Sequence, residues 1–240
     1  MAEHKTPQGE AIPEQAAIVI STVPPASTVS DSSKTPTKEQ QDIKENATIE
    51  LPPASVADDA IYVATLVDII NAAYNETEAD IFKPGYVRTT PQGVEEILRA
   101  GELAVASVPA AAASSSPPAG SSGRVPVGCI SIKKLGATRA ELGMFAVGPA
   151  QRGTGLGRDL IAFAERWCRD ALGGPGVAVA QLDLLVPTHV EHAFKARLGA
   201  WYGRLGYRMV GSRDFALDYP RLAPLLAGPT EYRVFEKTLV

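Results

Sequence analysis

"PAQRGTGLGRDLIAFAERWCRD", Pro149 to Asp170, places Gly153, Gly155 and Gly157 within five positions, directly ahead of a segment with helical periodicity. Leu156, Leu160, Phe163, Ala164, Trp167 and Ala171 recur at helical spacing and mark one apolar stripe. Backbone amides exposed at a helix N-terminus, with the helix dipole behind them, attract anions, and glycines let phosphate oxygens touch that backbone. A tight turn alone would also use such glycines. Context separates the two readings here: the strand-like MFAV precedes, a long amphipathic helix follows, and Arg152 adds a fixed positive charge at the mouth of the loop.

Working outward, ELAVASV from Glu102, RVPVGCISIKK from Arg124 and ELGMFAV from Glu141 read as three strands of an antiparallel meander. GGPG from Gly173 stops the helix, and the nearly continuous apolar AQLDLLV, Ala180 to Val186, suits a buried parallel neighbour. The glycine loop therefore belongs to the one clear βαβ unit of a mixed α/β sheet. Upstream, ATIEL from Ala47 is a short strand halted by Pro52 and Pro53. Ser55 and Asp58 form a capping box for a helix with Val63, Leu66, Val67, Ile70 and Tyr74 on one face. Thr90 and Pro91 open a second helix, which Gly101 ends. Downstream, Val190, Phe194, Leu198, Trp201 and Leu205 give another helix closed by Gly206, followed by strands from Tyr207 and Glu231. On that helix Trp201 continues the apolar stripe, and Tyr202 lies about 100° around it, at the core's edge and facing the cleft.

The chain has 240 residues, 45% hydrophobic and 21% charged, with a net charge of -4. Those values fit one globular domain and do not suggest nucleic-acid binding. Residues 1–45, rich in Pro, Thr, Ser, Gln and Glu, read as a disordered tail, and 46–240 as the folded domain. PAAAASSSPPAGSSG, Pro109 to Gly123, reads as a floppy surface loop between two strands. No apolar run approaches the roughly 20 residues needed to span a bilayer, and the opening MAEHKTPQGEAIPEQ lacks an export signal, so a soluble cytoplasmic chain without membrane partners is expected. Cys129 and Cys168 form no CxxC pair and read as reduced core thiols. His189, Glu191 and His192 have HxxH spacing but no third ligand cluster, so no metal is expected.

Among phosphate loops, GLGRD lacks the lysine of a P-loop, and Arg158 stands where a dinucleotide fold needs its third glycine. RxxGxG, filled by Arg152, Gly155 and Gly157, fits. With AQLDLLV and AWYGRLGY in this order, the chain resembles the GCN5-related N-acetyltransferases, the GNAT superfamily, from about Thr48 onward. The resemblance implies the GNAT fold: a mixed, mostly antiparallel sheet flanked by helices. It also implies acetyl-CoA as co-substrate and direct acetyl transfer to a primary amine. Phe145, Ala146 and Val147 would hold the pantetheine arm, and Arg152, Gly153, Thr154, Gly155, Leu156 and Gly157 the pyrophosphate. Tyr202 falls on the family's general acid, and Glu141 where one branch keeps its general base. Where many relatives carry asparagine seven residues before that tyrosine, this chain has Lys195.

Chemically, an attacking amine must lose a proton and a leaving thiolate benefits from gaining one, tasks that suit a glutamate and a tyrosine. Strand alternation would turn Glu141, Gly143, Phe145 and Val147 to one face. A small-molecule amine is the expected acceptor, chosen in this family by the first helices and late loops, roughly Tyr74 to Thr90 and Arg213 to Thr230. A protein N-terminus or lysine is the alternative acceptor, and a catalytically silent acyl-CoA sensor the alternative class. A homodimer is left open.

Overall fold

A computed structural model describes residues 46–110 and 123–240. The expected tail and most of the low-complexity loop lie outside the described residues. The strands are β1 (Thr48–Glu50), β2 (Leu103–Pro109), β3 (Arg124–Lys134), β4 (Arg139–Val147), β5 (Val179–Pro187), β6 (Arg208–Asp214) and β7 (Thr230–Thr238). They form one sheet in the order β1-β2-β3-β4-β5-β7-β6. Only β4 and β5 run parallel, joined by helix α3 (Leu156–Ala171), and the other neighbours are antiparallel. The remaining helices are α1 (Ala60–Glu78), α2 (Pro91–Arg99), α4 (Ala193–Arg204) and the short α5 (Phe215–Asp218). No helix among the described residues is long and apolar enough to cross a membrane.

The helix starts show which local signals operate. Thr90 caps α2 as expected, its hydroxyl accepting from the Gly93 amide at 3.2 Å with Pro91 at the first turn. The expected Ser55/Asp58 capping box does not form. Residues Ala54–Asp58 close a 3-10 turn instead, and the Asp59 carboxylate accepts from the Ile61 and Tyr62 amides at 3.0 and 3.1 Å. A carboxylate immediately before the helix reaches two orphan amides at once, which a serine four residues further back cannot. Val190, expected inside the late helix, is exposed ahead of it, and His192 caps α4.

Apolar packing covers both sheet faces. Leu142, Phe145, Val147, Leu160, Ala164, Leu198 and Tyr202 form the core under α3 and α4. Leu66, Ile70, Val94, Leu98, Met144, Ala146 and Leu185 form the core under α1 and α2. The sharing of β4 between these cores departs from strict alternation. Ser131 pairs with Gly143 but Cys129 pairs with Ala146, so two steps of β3 face three of β4. The extra residue is a β-bulge, and Met144 beside it has φ 37, a conformation rare for a non-glycine residue. The bulge corrects the expected single face. Glu141 and Gly143 keep one parity, whereas Phe145 and Val147 have crossed to the α3/α4 side.

Candidate active site

β4 and β5 pair only from Arg139 with Val179 to Leu142 with Leu182. Beyond that point β4 follows β3 and β5 follows β7, so Gly143 to Val147 and Asp183 to Pro187 diverge as a wedge. The bulge starts where the separation starts. Below the wedge a cleft of about 500 Å³ runs between the glycine loop and α4, with Val147, Phe194 and Trp201 on its apolar walls. Arg152, Arg158, Arg197 and Arg204 also line it, and among the described residues no carboxylate does. In a chain of net charge -4, that makes it an anion-selective cleft.

The loop is shaped for close backbone approach. Gly153 and Gly155 hold φ of 79 and 93, angles costly for side-chain-bearing residues, and Gly155 directly precedes α3. Thr154 is buried and stiffens the turn, its hydroxyl donating to the Gln151 carbonyl at 2.7 Å and accepting from the Leu156 amide at 3.3 Å. A Cβ on Gly157 would sit 3.0 Å from the Phe145 ring, so this glycine lets α3 close on β4. The side chains of Phe145, Ala146 and Leu156 are buried in the cores, leaving their backbone as the part offered to a ligand. Arg152 forks onto Glu76 at the end of α1, at 2.5 and 2.7 Å, and its buried Nε has no hydrogen-bond partner. A pyrophosphate fits this combination of bare loop backbone, orphaned nitrogen and four guanidinium groups.

Glu141 faces the opposite side of the sheet, only 8% exposed. Burial first, and the nearby Asp183 carboxylate second, push its carboxyl up to about 7 against the pull of Lys133 and Arg213. Asp183 is itself buried, accepts from Gln181 at 3.0 Å and is paired with Arg213, which also reaches Asp218 at 3.2 Å. A carboxyl poised near neutrality can take up a proton at working pH.

Tyr202 is fully buried, its ring 5.5 Å from Phe235 and 6.2 Å from Tyr207. Trp201 takes the cleft side and stacks parallel to Phe145 at 6.3 Å. The expected placement of this pair is thus reversed, because β7 supplies a second apolar wall against α4. His192 packs structurally, with Nε2 3.2 Å from Asp80, and the His189 ring lies against the Gly228 backbone. Both cysteines are buried with thiols raised to about 12 by burial, the state of unreactive core residues.

Lys195, at the position where many relatives carry asparagine, is completely buried and pairs with buried Glu78 at 2.5 Å. Removing one partner strands the other charge in the interior. Lys195→Met is expected to cost about 3–5 kcal/mol of unfolding free energy, read by chemical denaturation, and a loss below about 1 kcal/mol would show the pair to be dispensable. Reasoning from sequence named Arg152 but missed Asp183, Arg213 and the cleft arginines Arg158, Arg197 and Arg204. The last left a usable signal, since 197, 201 and 204 share one helix face at i, i+4 and i+7.

Comparison with known proteins fits this geometry. Residues 96–200 match the acetyltransferase (GNAT) family. The match covers less than half of the chain and spans α2 to α4. An acetyltransferase from Streptococcus agalactiae shares the fold, with TM-score 0.51 at 18% identity over 81% of this chain and 99% of that one. The aminoglycoside 6'-N-acetyltransferase from Enterococcus faecium gives TM-score 0.49 at 17% identity, covering 80% and 97%. Ard1 from Thermoplasma volcanium gives 0.49 at 16%, covering 81% and 99%. No curated protein matches the sequence. In this sheet the wedge between β4 and β5 opens directly after Leu142, with the arginine-lined cleft on one face and Glu141 on the other.

Proposed function

We propose that this GNAT acetyltransferase moves the acetyl group of acetyl-CoA directly onto a primary amine of a small molecule. The observation that carries this reading is the placement of an anion cleft and a near-neutral carboxyl on opposite faces of one split strand pair. Acetyl-CoA would supply an activated thioester. The glycine loop and the arginines would hold its phosphates, and the wedge would hold its arm. Glu141 would take a proton from the acceptor's nitrogen, which then bonds to the acetyl carbon as the carbon–sulfur bond breaks. Tyr202, at the position of the family's general acid, would return a proton to the sulfur. One solved structure similar to this chain, an aminoglycoside 6'-N-acetyltransferase, was crystallised with coenzyme A, in keeping with this donor.

Release of free thiol from acetyl-CoA across a panel of amines tests the reading. Cofactor binding without release on any amine would make the protein a sensor. The donor side has its own test, Gly155→Val. At φ 93 a branched side chain strains the turn and blocks the loop's face, so CoA affinity by calorimetry is expected to fall about 10-fold or more while α3 persists. Unchanged affinity in a folded variant would return the loop to the role of a turn.

A further inference from the structure

Arg88 carries more buried, unpartnered polar nitrogen than any other described side chain. It ends the connection between α1 and α2, is 6% exposed, and lies over the Tyr74 ring at 4.6 Å. Its Nε, Nη1 and Nη2 are all buried without a hydrogen-bond partner. A guanidinium stays charged throughout the working pH range and presents five N–H donors in a planar fork. Desolvating that fork without acceptors is costly, so the site lacks a group it was shaped for.

The nearby charges do not supply it. Glu78 is within electrostatic reach of Arg88, but its Oε1 is engaged by Lys195 and its buried Oε2 makes no hydrogen bond to the guanidinium. Two buried cations therefore share one carboxylate, leaving an excess positive charge. The position is also rigid. Asn71 clamps the adjacent Thr89 through two 3.0 Å backbone hydrogen bonds. Phe82 bridges to Leu226, and Lys83 donates its amide to the Leu225 carbonyl at 2.7 Å, tying the connection to the segment before β7.

This cation and the candidate base act on the same pair of tyrosines, whose rings pack 5.8 Å apart. Tyr219 and Tyr232 each lie within electrostatic reach of both Arg88 and Glu141. At the Glu141 end the charge is reversed, since the carboxyls of Glu141, Asp183 and Asp218 outnumber the cations Arg213 and Lys133. A molecule with an ammonium at one end and a carboxylate at the other matches both ends, whereas a plain alkylamine leaves Arg88 bare. We propose that the acceptor is an aminocarboxylate, its amine beside Glu141 and its carboxylate forked onto Arg88. The inference rests on the acetyltransferase reading and narrows its acceptor.

The test uses the full chain with glycine, β-alanine, 4-aminobutyrate and 6-aminohexanoate, each compared with its own amide. At least one acid is expected to exceed its amide by about 10-fold to 100-fold in kcat/KM, the range for a hydrogen-bonded charge pair. Arg88→Gln should flatten that preference, mainly through KM, and Arg88→Lys should restore part of it. Equal rates for acids and amides in the wild type would overturn the proposal, whether or not the variants fold, and would leave the acetyltransferase reading intact. Silence on every amine would instead remove that reading. Calorimetric titration of the same four acids then decides: carboxylate-dependent heat that disappears in Arg88→Gln upholds the anion site, and absence of heat overturns it.

Discussion

Glu141→Gln is expected to lower turnover about 10²–10⁴-fold while leaving CoA affinity unchanged, the signature of a lost general base. Glutamine keeps the shape and the hydrogen bond that a protonated Glu141 gives Asp183, but it cannot accept a proton. A carboxyl raised to about 7 works as a base only when ionised. The wild-type rate should therefore climb as pH rises through about 7, and the variant should lose that limb. Stability should move oppositely. With its folded pKa above the ordinary 4.5, Glu141 favours folding most below pH 4.5, an advantage lost as pH rises through about 7. Above that, a buried ionised carboxylate opposes folding by on the order of 3 kcal/mol. Glutamine removes this penalty, so relative to wild type the variant should melt higher at pH 8 than at pH 5. Rate profiles paired with melting curves decide it, and a variant that is destabilised at pH 8 and keeps the limb would assign Glu141 to the scaffold.

Tyr202→Phe separates chemistry from packing at a fully buried site. The ring keeps its neighbours Trp201, Tyr207 and Phe235, so a purely structural tyrosine forecasts near-normal turnover and at most about 0.5–1.5 kcal/mol of lost stability. As the acid that protonates the sulfur, its loss should reduce turnover about 10²–10⁴-fold, with little change in acetyl-CoA affinity, and remove the high-pH limb of the rate profile. Matching rates and profiles would leave Trp201 and the backbone as the contributions of α4.

The architecture was readable wherever a short-range signal fixes an element. Thr90–Pro91 marks the start of α2, and the glycine loop and its apolar stripe mark α3 inside the βαβ unit. What escaped depends on partners distant in sequence. The bulge is a mismatch between β3 and β4, invisible in β4 alone. Asp183 becomes part of the site because Arg213, thirty positions later, pairs with it, and Arg88 because the chain buries its guanidinium without a hydrogen-bond partner. Exposure misled as well. Tyr202 and Trp201 exchange their expected places because β7 buries the face that periodicity on α4 alone would leave at the edge.

The extra residue at Met144 gives the molecule a division of labour. On the proposed reading, one strand would supply donor-side walls from Phe145 and Val147 and an acceptor-side carboxyl from Glu141, on opposite faces of the sheet beside the wedge. Parts on one face can be exchanged without redrawing the other. If the proposed sites hold, the residues around Arg88, Tyr219 and Tyr232 could be retuned for a different amine while the glycine loop and its arginines keep the same activated partner. In such a molecule a new specificity is a local edit, and the chemistry is inherited unchanged.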